Sequence, residues 1–150
     1  MDGVEKQLAV WYKNFPDLPK GFNDWVAKYA WIFALVGGVF MALSALTLLS
    51  ALGIFSFYAS YYGAAGYALF GWLALISIIV ATVVTFMAVS PLKEQKEKGW
   101  KLMFYLEFFY MVFGVLQWLY HPAYFGNLFG TFLGAAISFY FLFQVREYFK

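Results

Sequence analysis

Two long stretches without a charged side chain dominate this sequence. No Asp, Glu, Lys or Arg occurs from Tyr29 to Leu92, or from Phe108 to Val145. A helix needs roughly 20 apolar residues to cross the hydrocarbon core of a bilayer, so each stretch has room for two crossings. The charged content of 12% agrees with this, because soluble domains carry about a quarter charged residues. The sequence therefore predicts an all-α integral membrane protein, a four-helix bundle.

Residues that break or cap helices divide these stretches into four spans within a single domain, 1–150. Asn23 or Asp24 is expected to cap the first span, and Pro91 with the charged stretch PLKEQKEKGWK, residues 91–101, to end the second. His121 and Pro122 interrupt the second long apolar stretch, because proline lacks an N–H and disfavours helix for the residue before it. The predicted spans are about 24–57, 65–90, 101–120 and 124–144.

Residues 1–22 precede the first span and predict an interfacial helix followed by a linker. Apolar positions recur there at the spacing of one helix face: Val4, Leu8, Trp11 and Phe15. An amphipathic helix of this kind is expected to lie in the headgroup plane, in contact with membrane lipids. Pro16 and Pro19 then end it.

The basic residues predict the orientation. All ten Lys and Arg residues fall on one side of the four predicted spans, and neither of the opposite turns contains one. Cytoplasmic loops are enriched in Lys and Arg. We therefore expect a multi-pass protein of the cell (inner) membrane with its N-terminus and C-terminus in the cytoplasm.

Small residues recur every four positions on the fourth predicted span, and a weaker series lies on the first. Such strips let helix backbones approach closely, which matters in lipid because packing replaces the hydrophobic drive. Packing within the chain's own bundle is favoured, and an oligomer interface is the alternative. The candidate packing residues are Gly126, Gly130, Gly134 and Ser138, with Ala34, Gly38 and Ala42 on the first span.

Glu107 is the one formally charged residue inside a predicted apolar span, and such a residue is a functional candidate by default. With Trp100, Gly114, Trp118 and His121 it forms a partly polar stripe along the third span. The stripe is a candidate proton or ion path, although Glu107 and His121 are about 21 Å apart along a helix. The favoured alternative is a shallow Glu107 that pairs with Lys101 or Arg146 or bonds to Gln144. The candidate polar residues are Glu107, Gln117, His121, Gln144 and Arg146.

The sequence gives no support for catalysis. Absence of cysteine removes thiol chemistry and disulfides, and a single histidine cannot build a histidine metal cluster. No serine elbow, phosphate loop or HExxH motif occurs. The basic residues flank the spans rather than forming a groove for nucleic acid. We expect no enzyme activity, no cofactor, no metal site and no nucleic-acid partner.

The charged loop re-enters the membrane at KGW, residues 98–100, and the chain ends in FLFQVREYFK, residues 141–150. In this layout the chain resembles small uncharacterised four-span proteins of the bacterial inner membrane. The resemblance implies a location in that membrane and no particular activity.

Three functional hypotheses follow. The leading one is a non-enzymatic membrane protein that acts by helix packing, as a self-associating bundle or as an accessory subunit of a larger membrane complex. The second is an oligomeric small channel or transporter that uses the polar stripe of the third span. The third is a lipid-binding membrane protein.

Overall fold

The computed structural model describes residues 2–62, 65–120 and 125–150, and over these residues the chain is helical, without a strand. The helices are α1 (Asp2–Tyr12), α2 (Lys20–Tyr61), α3 (Ala65–Lys93), α4 (Glu97–Tyr120) and α5 (Phe125–Gln144). A short 3-10 turn, Arg146–Tyr148, follows α5. The predicted all-α class is confirmed.

Three helices are long and apolar enough to cross a membrane, namely Lys20–Tyr58 within α2, Leu69–Lys93 within α3 and Glu97–Leu119 within α4. Many large apolar side chains on them are exposed; Phe40, Ile54 and Leu69, for example, are 65%, 66% and 64% accessible. Such surfaces suit lipid rather than water. The apolar stretch Leu128–Gln144 of α5 is shorter. The chain is therefore a helical membrane protein.

The main interfaces join helices that follow one another in the chain: α2 packs on α3, α3 on α4 and α4 on α5. All four converge on one core near the ends that carry the charged residues. This core includes Ala27, Ala88, Trp100 and Phe139. A second core, formed by Ala45, Leu52 and Leu75, belongs to α2 and α3 alone.

Small side chains allow α2 and α3 to approach closely. Ala27, Ala81 and Ala88 are fully buried, and Thr85 is 1% exposed. A Cβ placed on Gly38 would lie 3.1 Å from the ring of Phe86. Van der Waals packing between small residues is the usual source of helix association in lipid.

Hydroxyl side chains in these apolar helices bond to the carbonyl one turn back. Ser44 donates to Phe40 O at 2.9 Å, and Thr85 donates to Ala81 O at 2.8 Å. Similar bonds join Thr47 to Leu43, Ser50 to Leu46, Ser77 to Leu73 and Thr82 to Ile78. The polar groups are thereby satisfied without water, as a membrane interior requires.

The predicted cap of the first span is wrong, and the second span ends slightly later than predicted. Helix α2 begins at Lys20 after Pro19, without a side-chain cap, because the amides of Phe22 and Asn23 bond to Pro19 O. Asn23 and Asp24 therefore lie inside the helix. Helix α3 runs past Pro91 and ends at Lys93, inside the charged stretch predicted to end it. A proline so close to a helix end removes one N–H bond, and its fixed φ is compatible with helix. The predicted break at residues 121 and 122 lies outside the described residues.

The C-terminal residue meets the turn between α3 and α4, and α1 is joined to the segment that follows α5. The amide of Lys150 donates to Gln95 O at 3.0 Å, and the amide of Glu97 donates to Lys150 O at 3.4 Å. Arg146 forms an ion pair with Glu5 of α1. We call this part of the molecule the charged end.

Candidate functional site

Arg146 is the centre of the charged end. It lies two residues after the end of α5, and its guanidinium binds the carboxylate of Glu5, a residue only 6% exposed. The same guanidinium lies 5.1 Å from the ring centroid of Trp100. Trp100 in turn donates from Nε1 to Leu142 O at 2.7 Å. Arg146 therefore connects α1, α4 and the end of α5.

Gln144, the last residue of α5, connects the linker and α2. Its Oε1 accepts from the amide of Leu18 and from Asn23 Nδ2, each at 3.3 Å. Its Nε2 donates to Pro16 O at 3.2 Å, and the Tyr140 hydroxyl donates to the same oxygen at 2.6 Å. One amide side chain therefore fixes the path of the linker 13–19.

Asn23 leaves one polar atom without a partner. The residue is 6% exposed, and its Oδ1 is buried with no hydrogen-bond donor among the described residues. Its Nδ2 already donates to Gln144 Oε1, and exchanging the two amide atoms of Asn23 would set two carbonyl oxygens against each other. Buried acceptors without a donor are rare in folded proteins. Asn23 therefore presents an unused acceptor.

The segment after α5 closes over the start of α2. The Tyr148 hydroxyl donates to the carboxylate of Asp24, and this bond raises the pKa of Tyr148 above its usual value. Partial desolvation and the negative charges of Asp24 and Glu147 act in the same direction. The Tyr148 hydroxyl therefore keeps its proton at neutral pH.

Helix α1 packs on the side of α5 through a face that shares only Leu8 with the predicted one. The ring of Tyr12 stacks on Phe143 at 5.4 Å, and its hydroxyl donates to Ala136 O at 3.0 Å. Burial raises the pKa of Tyr12. Three residues of the predicted apolar face are exposed instead: Val4, Trp11 and Phe15. They remain free to contact lipid.

Between the linker, α5 and the final segment lies an open cleft of 1140 Å³. Its walls include Asn23, Gln144 and the aromatic rings of Tyr12, Tyr140 and Phe143. Its basic residues are Lys13, Lys20, Arg146 and Lys150, and its acidic residues are Asp17, Glu97 and Glu147. Two of these charges have partners elsewhere, since Arg146 binds Glu5 and Glu97 binds Lys101. We call this space the linker cleft.

Glu107 does not meet the partners expected for it. Its carboxyl is half-buried and hydrogen-bonds to Ser138 of α5. The expected partners are engaged elsewhere, as Lys101 pairs with Glu97 and Arg146 with Glu5. Glu107 therefore lies apart from the contacts of Gln144 and Arg146.

The predicted polar stripe of the third span faces α5. Trp100 bonds to Leu142 O, Glu107 to Ser138, and a Cβ on Gly114 would lie 2.5 Å from Thr131. These three residues of the stripe thus form a contact between two helices, whereas the buried Nε1 of Trp118 has no partner among the described residues. His121, which completes it, lies outside the described residues, and Gln117 is exposed.

The predicted packing strip divides between the two sides of α5. Ser138 faces α4, whereas no described side chain comes within 4 Å of a Cβ placed on Gly130 or Gly134. Both glycines are exposed, so neither packs inside the chain. For Gly126 the surroundings lie outside the described residues. On α2, Ala34 and Gly38 are buried and Ala42 is half-buried.

The roles of two residues at the charged end are not predicted by the sequence. From the sequence, Glu5 is expected to lie on the solvated face of an amphipathic helix, and Asn23 is expected to cap a helix. Only the seven-residue spacing of Glu5 and Tyr12, which places both on one helix face, hints at the face that packs. Among the described residues no group of three or more His, Cys, Asp or Glu could hold a metal ion.

The chain matches no protein-family model, no curated protein and no solved structure.

Proposed function

We propose that this chain is a non-enzymatic four-span protein of the inner membrane that acts by helix packing, through self-association along α5. In this proposal α5 is the fourth crossing. Its 20 residues correspond to about 30 Å, the thickness of the hydrocarbon core. The meeting of both termini and the α3–α4 turn at the charged end supports an even number of crossings. The basic residues there support a cytoplasmic position.

The observation that carries the proposal is a pair of open glycines four residues apart on one face of α5, Gly130 and Gly134. The open glycines of α2, Gly21, Gly37 and Gly53, stand singly. Glycine inside a helix costs roughly 1 kcal/mol relative to alanine, and contact with lipid tails alone offers nothing to offset it. A second helix offsets this cost, because its backbone can approach closely where the side chains are small. Large residues flank the two glycines: Phe129, Phe132 and Leu133 are 65%, 48% and 50% exposed. The face therefore offers both a groove and a ridge.

A second copy is the occupant that we assign to this face. Two copies with the same orientation in the membrane present identical grooves and ridges, so a two-fold axis parallel to the membrane normal would pair them. A different membrane protein on this face would make the chain an accessory subunit instead.

The test replaces Gly130 and Gly134 together by Leu and measures self-association in bilayers, by energy transfer between labelled copies. We expect the association constant to fall at least tenfold, because two bulky side chains hold the backbones apart. Gly37→Leu is the matched control, since this glycine of α2 also has nothing within 4 Å of a Cβ. It should leave association unchanged. An equal loss in both variants, or a monomeric parent protein, would overturn self-association through α5.

A channel or transporter has less support. The polar stripe of α4 faces α5, where Glu107 and Trp100 both have hydrogen-bond partners. Flux of protons or ions through reconstituted protein, lost in Glu107→Gln with its helix content intact, would favour that alternative over ours.

A further inference from the structure

Large apolar side chains remain exposed along one side of α1. Val4 and Trp11 are 43% and 73% exposed, and Phe15, three residues after the helix ends, is 54% exposed. Their spacing of seven and four residues is that of one helix face. Lys6, on the opposite side of the helix, is exposed as well. Monomeric proteins rarely leave an apolar patch of this kind in contact with water, so this side requires a covering surface.

The contacts of α1 place its last turn beside the apolar part of α5. Glu5 binds Arg146 at the charged end, but the Tyr12 hydroxyl donates to Ala136 O at 3.0 Å. Ala136 lies eight residues before Gln144, where α5 ends, which corresponds to about 12 Å along the helix. It belongs to the apolar stretch of α5. Helix α1 therefore starts at the charged end and runs alongside α5 toward this stretch.

The surface that adjoins the exposed side of α1 identifies its occupant. In the proposed function α5 crosses the bilayer, so the outer surface of its apolar stretch is covered by lipid chains. The exposed side of α1 continues this surface, because the ring of Phe15 packs against that of Tyr140 on α5, with 6.1 Å between the ring centroids. Tryptophan and phenylalanine suit the boundary between headgroups and acyl chains. Lys6, on the other side of α1, can extend to the headgroups.

We infer that Val4, Trp11 and Phe15 form a lipid-docking surface, which inserts α1 among the acyl chains of the leaflet at the charged end. The occupant is the leaflet itself rather than one type of headgroup, since the three acidic and three basic side chains of residues 1–20 balance. The helix thus lies deeper than the headgroup plane predicted from its sequence. This inference rests on the proposed function, because it needs α5 to cross, and adds to it a helix that occupies one leaflet only.

Depth measurements on single cysteines test the insertion. Trp11→Cys, Lys6→Cys and Phe132→Cys each carry one nitroxide label on the full-length protein, in vesicles of phosphatidylcholine and phosphatidylglycerol. Collisions with oxygen and with a water-soluble nickel chelate give the depth of each label. We expect Trp11→Cys about 5–10 Å below the phosphates, and Lys6→Cys, the matched control, at or above them. Phe132 of α5 is 48% exposed and about 18 Å from Gln144 along the helix, so its label should be deeper than both.

The three depths separate one failure from another. A Trp11→Cys label in water, with Phe132→Cys deep, would overturn the insertion of α1 while leaving the crossing by α5 intact. It would assign the apolar side to a water-soluble partner. Equal depths for Trp11→Cys and Lys6→Cys would show that α1 has no lipid side and would also overturn the insertion. A Phe132→Cys label in water would overturn the crossing by α5 and, with it, this inference.

A second site and a second readout complete the test. Phe15→Cys should report a depth similar to that of Trp11→Cys, and it replaces Trp11→Cys if that variant loses helix content by circular dichroism. Strong dipolar broadening between Trp11→Cys labels on different copies should be absent. Self-association along α5 does not bring them together, because Ala136 and Gly134 lie on different sides of that helix. Such broadening would assign the apolar side to a second copy and overturn the lipid assignment.

Discussion

Among single residues, Glu5 and Arg146 show that the two partners of one ion pair are not equivalent. Glu5 is 6% exposed, whereas the Arg146 side chain is 41% exposed. A buried carboxylate that loses its cation has no water to replace it, while a half-exposed guanidinium regains water. Breaking the ion pair therefore costs more free energy when Glu5 is the partner left behind than when Arg146 is.

Arg146→Gln is accordingly expected to destabilise the docking of α1 by about 1–3 kcal/mol, because it leaves a buried carboxylate without a cation. Glu5→Gln is expected to cost less, under about 1 kcal/mol, since the neutral amide still accepts a bond from Arg146. Hydrogen exchange of the α1 amides measures both values. Lys6→Gln, at an exposed position of the same helix, is the control. Equal losses in the two variants would contradict the asymmetry.

The same pair shows what the sequence reveals about the charged end. Arg146 and Gln144 are predictable candidates, because polar residues beside a long apolar stretch stand out. Glu5 and Asn23 are not, since both belong to segments where polar residues are ordinary. Their roles arise only when residues more than 120 positions away in the chain are brought to them.

For the helices, the polar stripe of α4 is predictable from periodicity, but its neighbour is not. Residues 100, 107 and 114 share one side of α4 at seven-residue spacing, and all three meet α5. On α5 two small-residue series lie side by side. Thr131, Ala135 and Ser138 face α4, whereas Gly130 and Gly134 face outward. Spacing alone cannot separate adjacent strips that differ by one position.

A close backbone contact lies beside the turn between α3 and α4, and its cost can be tested. A Cβ on Gly99 would lie 2.6 Å from Leu92 N and 2.8 Å from Pro91 C. Backbone atoms cannot move aside as a flexible side chain can, so Gly99→Ala should destabilise the protein by about 1–3 kcal/mol. Gly37→Ala, which meets open space, should instead stabilise it by up to about 1 kcal/mol. Thermal unfolding in one detergent measures both, and a neutral Gly99→Ala would contradict the tight turn.

For the whole molecule, helix lengths and charges indicate how the chain sits in the bilayer. Helix α2 has 42 residues, about 63 Å at 1.5 Å per residue, roughly twice the hydrocarbon thickness. Its far end carries exposed tyrosines, including Tyr58, Tyr61 and Tyr62. Such phenol rings suit the interface opposite to the charged end.

The proposed orientation predicts which positions a membrane-impermeant thiol reagent reaches from outside the cell. The chain has no cysteine, so a single cysteine introduced at an exposed position is the only thiol that the reagent can label. Tyr62→Cys, at the far end of α2, should be labelled in intact cells. Lys98→Cys and Lys150→Cys, both at the charged end, should be labelled only after the membrane is opened. Helix α5 lies between the predicted break at residues 121 and 122 and Lys150. Labelling of Lys150→Cys in intact cells, with Lys98→Cys still protected, would therefore show that α5 does not cross. Labelling of Lys98→Cys from outside would reverse the orientation altogether.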